Sequence, residues 1–162
     1  MSTQAKTTTT TTTAKRQADA ITMLRADHKK VSGLFAEFDK ARSNKHKKEL
    51  VSQICAELEV HATVEEEIFY PAVKAALKDS ELVPEASVEH ASVKDLIAQV
   101  KDAEPGDEMY DARVKVMGEF VKHHVKEEQN EMFPKVKSSR LDLKLLGEQM
   151  ALRKEELMTQ LA

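Results

Sequence analysis

The chain has 162 residues and a formal net charge of −3, from 25 basic and 28 acidic side chains, which bounds it to one domain with room for an extension. Four Gly and four Pro are too few for a turn-rich β-sandwich, and the charge balance lacks the basic excess that a nucleic-acid backbone demands. A single cysteine, Cys55, cannot close an internal disulfide; no apolar run approaches the ~20 residues of a membrane span, and no secretory leader is legible. The expectation is a soluble, helical, cytoplasmic protein with neither nucleic acid nor membrane as partner.

Residues 1–16 hold an unbroken threonine run, Thr7 to Thr13, with no apolar partner. Such a segment cannot bury enough surface to offset its ordering entropy, so a disordered tail is expected. Its basic, acid-free start resembles a transit peptide without the Arg-rich amphipathic pattern of one. From residue 17 the apolar residues follow helical spacing. A first helix carries Ile21, Leu24, Val31, Leu34, Phe35 and Phe38 and stops near Ser43-Asn44. A second carries Leu50, Ile54, Leu58, Ile68 and Phe69 and frays after Pro71 towards Lys78. A third follows Pro84 with Val88, Val93, Leu96, Ile97 and Val100, and ends at the breaker Pro105-Gly106-Asp107. The fourth carries Val114, Met117, Phe120, Val121, Val125, Met132 and Phe133. A last amphipathic segment spans Leu141 to Leu161, with Leu145, Leu152 and Leu161 among its apolar positions. Short loops make the first four helices antiparallel neighbours. The expected fold is therefore all-α: an up-down four-helix bundle over residues 17–138, with an additional C-terminal helix over 139–162. That helix could cover the bundle or join two copies as a homodimer.

The helices carry an internal repeat. His61-Ala-Thr-Val-Glu65 with Pro71 matches His124-Val-Lys-Glu-Glu128 with Pro134, and Asp27-His28 matches Glu89-His90. In a helix, His at i and Glu at i+4 project from one face. The midpoint between His28 and His61 falls in the Ser43-Asn44-Lys45 breaker, and that between His90 and His124 falls on Asp107. Each antiparallel hairpin therefore sets two histidines side by side, about 25 Å from its turn at ~1.5 Å per residue. Their neighbours at helical spacing are apolar, among them Leu24, Val31, Leu58, Ile68 and Met117. Four imidazoles and two carboxylates in that setting are costly unless paired. Neutral imidazole with ionised carboxylate is the donor set of a divalent or trivalent ion.

The stretches HATVEEEIFYP, EHASVKDLI and HHVKEEQNEMFP closely resemble the bacterial branch of the hemerythrin-like family, the HHE cation-binding domain. The resemblance covers roughly residues 20–137 and implies a non-haem centre of two iron ions inside a four-helix bundle. On that likeness His28 and His61 would bind one iron, His90 and His124 the other, and Glu65 and Glu128 would bridge them beside an oxo or hydroxo group. Oxygen-carrying members have a fifth histidine, one turn after the one matched by His90; here that position is Lys94, and the turn before holds Ala86. The second acidic residue also follows its histidine by four positions rather than five. The likeness thus implies a ligand-poor centre with room for exogenous molecules.

Other residues read differently. His46 lies about 22 Å along the helix from His61 and cannot reach it. His123 is about 100° off the face of His124 and points to solvent. Glu66 and Glu127 read as surface charge, with a minor reading as replacement ligands, and Tyr70 and Tyr110 read as ordinary packing, with a minor reading as neighbours of the cavity. Cys55 reads as a small buried hydrophobe, and Lys94 as a chain extended to solvent. No residue stands out as a catalytic acid or base. Two functions follow: a di-iron protein that binds or turns over oxygen, peroxide or nitric oxide, or an iron or oxygen sensor or iron store without significant catalysis.

Overall fold

A computed structural model describes residues 18–78 and 80–161; the expected threonine-rich tail lies outside the described residues. The described part is all helix and loop. Helix α1 spans Ala20–Lys40 and α2 Asn44–Val64, which continues through a wide turn, Glu65–Phe69, into α3, Tyr70–Ala76. Helix α4 spans Leu82–Lys101; α5, Glu108–Glu127, continues through a second wide turn, Glu128–Met132, into α6, Phe133–Lys137; α7 spans Leu143–Leu161. Each start is marked in the sequence. Asp19, Ser43, Asp107 and Asp142 accept hydrogen bonds from the backbone N–H of Thr22, His46, Tyr110 and Leu145, satisfying donors that the first turn leaves open. Pro84 sits inside the first turn of α4, where its missing N–H costs nothing. The α4–α5 loop turns at Gly106, whose φ of 131° suits a residue without a side chain.

The four long helices pack α1 on α2, α2 on α4, α4 on α5 and α5 back on α1, an up-down bundle as expected. The two wide turns have a common cause. Pro71 and Pro134 offer no N–H, and their rings would strike the carbonyl four residues back in a regular α-helix. Just before each proline the helix loosens by one residue: Tyr70 N–H donates to the Glu65 carbonyl, and Phe133 N–H to the Glu128 carbonyl. These i→i+5 turns are π-bulges, which recur at functional sites.

Helix α7 packs on α1, α2 and the first π-turn. Its buried residues are Leu146, Gly147 and Met150, whereas Leu145, Leu152 and Leu161, named among its apolar positions, are exposed. The reason lies at Gly147, where an added Cβ would come within 2.6 Å of the Ala18 carbonyl oxygen. Backbone approaches backbone there, and that contact decides which face turns inward. Val88 and Phe120, apolar positions of the third and fourth helical patterns, stand exposed on α4 and α5.

The apolar interior is two clusters. One gathers Ile21, Leu24, Val64, Phe69, Val73, Phe133 and Met150 at the proline end; the other gathers Val31, Leu34, Ile54, Leu58, Ile97 and Met117 towards the hairpin turns. On α1, His28 lies between Leu24 of the first and Val31 of the second; on α5 and its extension, His124 and Glu128 lie between Met117 and Met132. A buried polar layer crosses the bundle between the clusters.

Candidate metal centre

Six side chains meet in that layer: His28 from α1, His61 from α2, His90 from α4, His124 from α5, and Glu65 and Glu128 from the first positions of the two π-turns. All six are buried. The rings of His28 and His61 lie 5.0 Å apart and those of His90 and His124 4.8 Å apart, each pair inclined at 63°. Each carboxylate meets one histidine of each hairpin. Glu65 Oε1 lies 2.8 Å from His61 Nε2 and 3.4 Å from His90 Nε2. Glu128 places Oε1 3.1 Å from His28 Nε2 and Oε2 3.2 Å from His124 Nε2. Donor atoms of His28, His61 and Glu128 converge within 4.8 Å, and those of Glu65, His90 and His124 do the same. The histidine pairs are those the sequence expects, and each glutamate spans both.

The outer nitrogens are held by a second ring with the same symmetry. Asp27 accepts from His61 Nδ1 at 2.9 Å, and Glu89 from His124 Nδ1 at 3.0 Å. The side-chain amide of Gln129 lies 2.9 Å from His28 Nδ1, and Glu66 Oε1 lies 3.4 Å from His90 Nδ1. Asp27 and Glu89 are repeat equivalents, as are Gln129 and Glu66. A half-turn of the Gln129 amide would let its oxygen accept Nδ1–H and leave His28 Nε2 as a ligand. Lys94, its side chain half exposed, donates to both oxygens of Glu66 at 2.6 and 2.8 Å.

Tyr70, for which packing was the main expectation, belongs to the layer. Its hydroxyl donates to Glu128 Oε2 at 2.7 Å and lies 3.2 Å from Nε2 of both His90 and His124. Its repeat equivalent is Phe133, whose ring stacks at 6.1 Å and 4° on His28. Tyr110, by contrast, packs near Phe38 at the other end of the bundle. Cys55 is buried as expected, and burial foremost pushes its thiol up to about 11.

Charges compensate within the layer. Burial opposes a proton on His61, yet Glu65, Asp27 and Glu128 outweigh it and hold its pKa well above the ordinary value. At His124 the same contest, with Glu128, Glu65 and Glu89 against burial, ends at about 9. Burial would raise Glu65, but His61 above all holds it well below the usual carboxylate range. Asp27 is lowered against burial by His61 and Lys154. Burial and the two central carboxylates push Tyr70 well above the ordinary phenol, so its oxygen keeps its proton at neutral pH.

The donor set suits a metal. His28 Nε2, His61 Nε2, both oxygens of Glu65 and Glu128 Oε1 are buried without a hydrogen-bond partner; the short N–O approaches between them are not aligned as hydrogen bonds. Orphaned groups of this kind are expensive in a core, and cations between them would satisfy them all. Nitrogen and oxygen donors of this type take iron, zinc or manganese. The six inner residues are those expected from the sequence; Glu66, read there as surface charge or a replacement ligand, instead stands behind His90, and Asp27, Glu89 and Gln129 were not assigned to the site. The acid preceding His28 and His90 in both repeats was the available signal.

The chain is 28% identical to a DNA nickase of a Nostoc species over 77% of its own length, but it spans only 35% of that protein. It is 27% identical to the uncharacterized protein Rv2633c of Mycobacterium tuberculosis, over 86% of this chain and 87% of that one. The crystal structure of a hemerythrin HHE cation binding domain-containing protein, the Rv2633c homolog from Mycobacterium kansasii, superposes with a TM-score of 0.76 at 26% identity, covering 88% of this chain and 89% of that one. The hemerythrin HHE cation binding domain matches residues 19–136, the stretch that contains both hairpins and the whole His/Glu layer. The chain belongs to the hemerythrin HHE cation-binding family.

Proposed function

We propose that this chain is a non-haem di-iron protein that binds or turns over a small molecule: oxygen, peroxide or nitric oxide. The observation that carries the reading is the double reach of Glu65 and Glu128, each within 3.4 Å of a histidine from both hairpins. Two carboxylates so placed suit a pair of ions, His28 and His61 holding one, His90 and His124 the other.

A cavity of about 40 Å³ adjoins the histidines, walled by Val31, Leu58, Val93, Ile97, Val121 and Val125. A single water needs roughly 10–15 Å³ on a comparable scale, so the space suits a molecule of a few atoms. Bound iron would supply the electron transfer. The residues do the rest: Asp27, Glu89, Glu66 and Gln129 fix the rings, the apolar wall limits water, and Tyr70 holds a proton on its hydroxyl beside Glu128 and His124.

The test is metal analysis with a visible spectrum of the iron-loaded protein. Two irons per chain and the visible absorption of a coupled ferric pair, absent with zinc, are expected. His61→Ala or His124→Ala should lose most of the metal, and His46→Ala none. One ion per chain in the wild type, or full loading of both ligand variants, would overturn the assignment. Rapid loss of added hydrogen peroxide marks turnover; its absence, with a large metal-dependent stability change, marks a sensor or store.

A further inference from the structure

A second donor cluster lies outside the layer, on the exposed flank of α4 and α5. His123 and Glu127 stand one turn apart on α5, with 3.2 Å between Nε2 and Oε1, and Glu89 on α4 brings Oε2 to 3.4 Å from the same nitrogen. One donor atom from each of the three lies within 4.8 Å of the others. His123-x-x-x-Glu127 has the spacing of the two inner pairs.

The internal repeat brings out what is unusual about this place. Asp27 gives one oxygen to His61 and the other to Lys154 of α7, at 2.5 Å. Glu89, its equivalent, gives one oxygen to His124 and turns the other to His123, with the carboxylate of Glu127 alongside. Where the first half has a lysine ammonium, the second has an imidazole and a further carboxylate. The repeat equivalents of His123 and Glu127 are Val60 and Val64, buried in the cluster that Leu146 and Met150 of α7 complete. On the α4–α5 flank the same positions carry ligand atoms and face solvent.

A small space of about 10 Å³ adjoins Glu89 and Glu127 of this cluster, closed on its apolar side by Leu82, Ala86 and Met132. Glu85, Glu89 and Glu127 line it, and His124 and Glu128 lie deeper. Glu128 is almost fully buried, with Oε2 turned to His124 and Oε1 to His28 on the far side of the layer. Carboxylates thus run from the surface to the centre.

We propose that Glu89, His123 and Glu127 form a surface site for a divalent first-row cation, and that this site is where metal enters on its way to the buried layer. The entry role rests on the reading of that layer as a metal centre. One imidazole and two carboxylates, with water completing the shell, take ferrous, manganous or zinc ions. The His123 side chain is 65% exposed, which keeps such an ion exchangeable.

The test uses the full chain, the variants His123→Ala and Glu127→Gln, and zinc and ferrous iron as probes. Calorimetric zinc titration of iron-loaded protein is expected to find one further ion in the wild type, bound on the order of tenfold or more tightly than in either variant. Ferrous uptake by metal-free protein at limiting iron, followed by stopped flow, is expected to slow on the order of tenfold in both variants, with the same final iron content. Equal zinc binding in wild type and variants, or equal uptake rates, overturns the proposal. Failure of the underlying reading looks different: wild type and His61→Ala would then retain the same iron after dialysis, while the zinc titration would still report on the surface cluster.

Discussion

Asp27 holds His61 Nδ1 at 2.9 Å with one carboxylate oxygen, and the other receives Lys154 Nζ at 2.5 Å. A histidine of the buried layer is thereby oriented from α7 through a single side chain. Outer-shell carboxylates of this kind fix the tautomer and raise ligand basicity. Asp27→Asn is expected to weaken metal retention by about 10–100-fold, and Lys154→Ala to weaken it less, because Asp27 stays in place. Competition with a chromophoric chelator measures both. Retention unchanged in Asp27→Asn would show that His61 needs no such support.

The pH dependence follows from His61, His124 and Glu65. The two histidines have raised folded pKa values, so their protonated pairing stabilises the metal-free protein fully below about pH 6.5. That contribution is lost as pH rises through the folded values, about 9 for His124. Glu65 is lowered; its contribution is present above the ordinary carboxylate value of about 4.3 and is lost as pH falls through its lowered value. Metal binding displaces the imidazole protons. The gap in melting temperature between iron-loaded and metal-free protein should therefore widen from pH 6.5 to 9 and close on acidification. Calorimetric scans of both forms across that range check it; a constant gap would mean that metal and protons do not compete.

Tyr70→Phe removes a hydroxyl that donates to a buried carboxylate at 2.7 Å and leaves the ring's packing intact. The metal-free protein should lose about 1.5–3 kcal/mol, the usual worth of a hydrogen bond to a charged group. Urea titration of the metal-free variant measures it, and a change within error would place Glu128 in contact with another donor.

Gly147→Val tests the docking of α7. A Cβ at this position would lie 2.6 Å from the Ala18 carbonyl and 2.8 Å from Ala20 N, so backbone must shift. A loss of about 1–3 kcal/mol is expected from such overpacking, read as a lower denaturant midpoint. A neutral result would mean that α7 repacks without cost.

The bundle and the six inner residues were legible because each rests on spacing within regular helix. His28, His61, His90 and His124 sit at matched distances from two breakers, and i,i+4 spacing carries the glutamates with the histidines. Tyr70 was legible only as a minor reading, for a physical reason. Counted along an α-helix from His61, it stands nine residues on, about 180° away and facing out. The π-turn absorbs one residue, so Tyr70 takes the direction that residue 69 would have had, within about 40° of Glu65. Pro71 was the visible sign that the count would slip. The packing face of α7 was hidden because a glycine contact with backbone, rather than leucine periodicity, selected it.

The repeat that builds the layer is broken at single side chains, and the breaks fall on one side. Around His90 and His124 stand the Tyr70 hydroxyl and the Glu66 carboxylate; the equivalent places around His28 and His61 hold the Phe133 ring and the neutral amide of Gln129. Asp27 meets a lysine where Glu89 meets a histidine. The fold is near two-fold in shape but polarised in chemistry, with more anionic surroundings at one end of the layer than at the other. Two like cations placed there would meet unequal surroundings from the start: Glu89, Glu127 and the Lys94-paired Glu66 at one end, the Lys154-paired Asp27 and a neutral amide at the other.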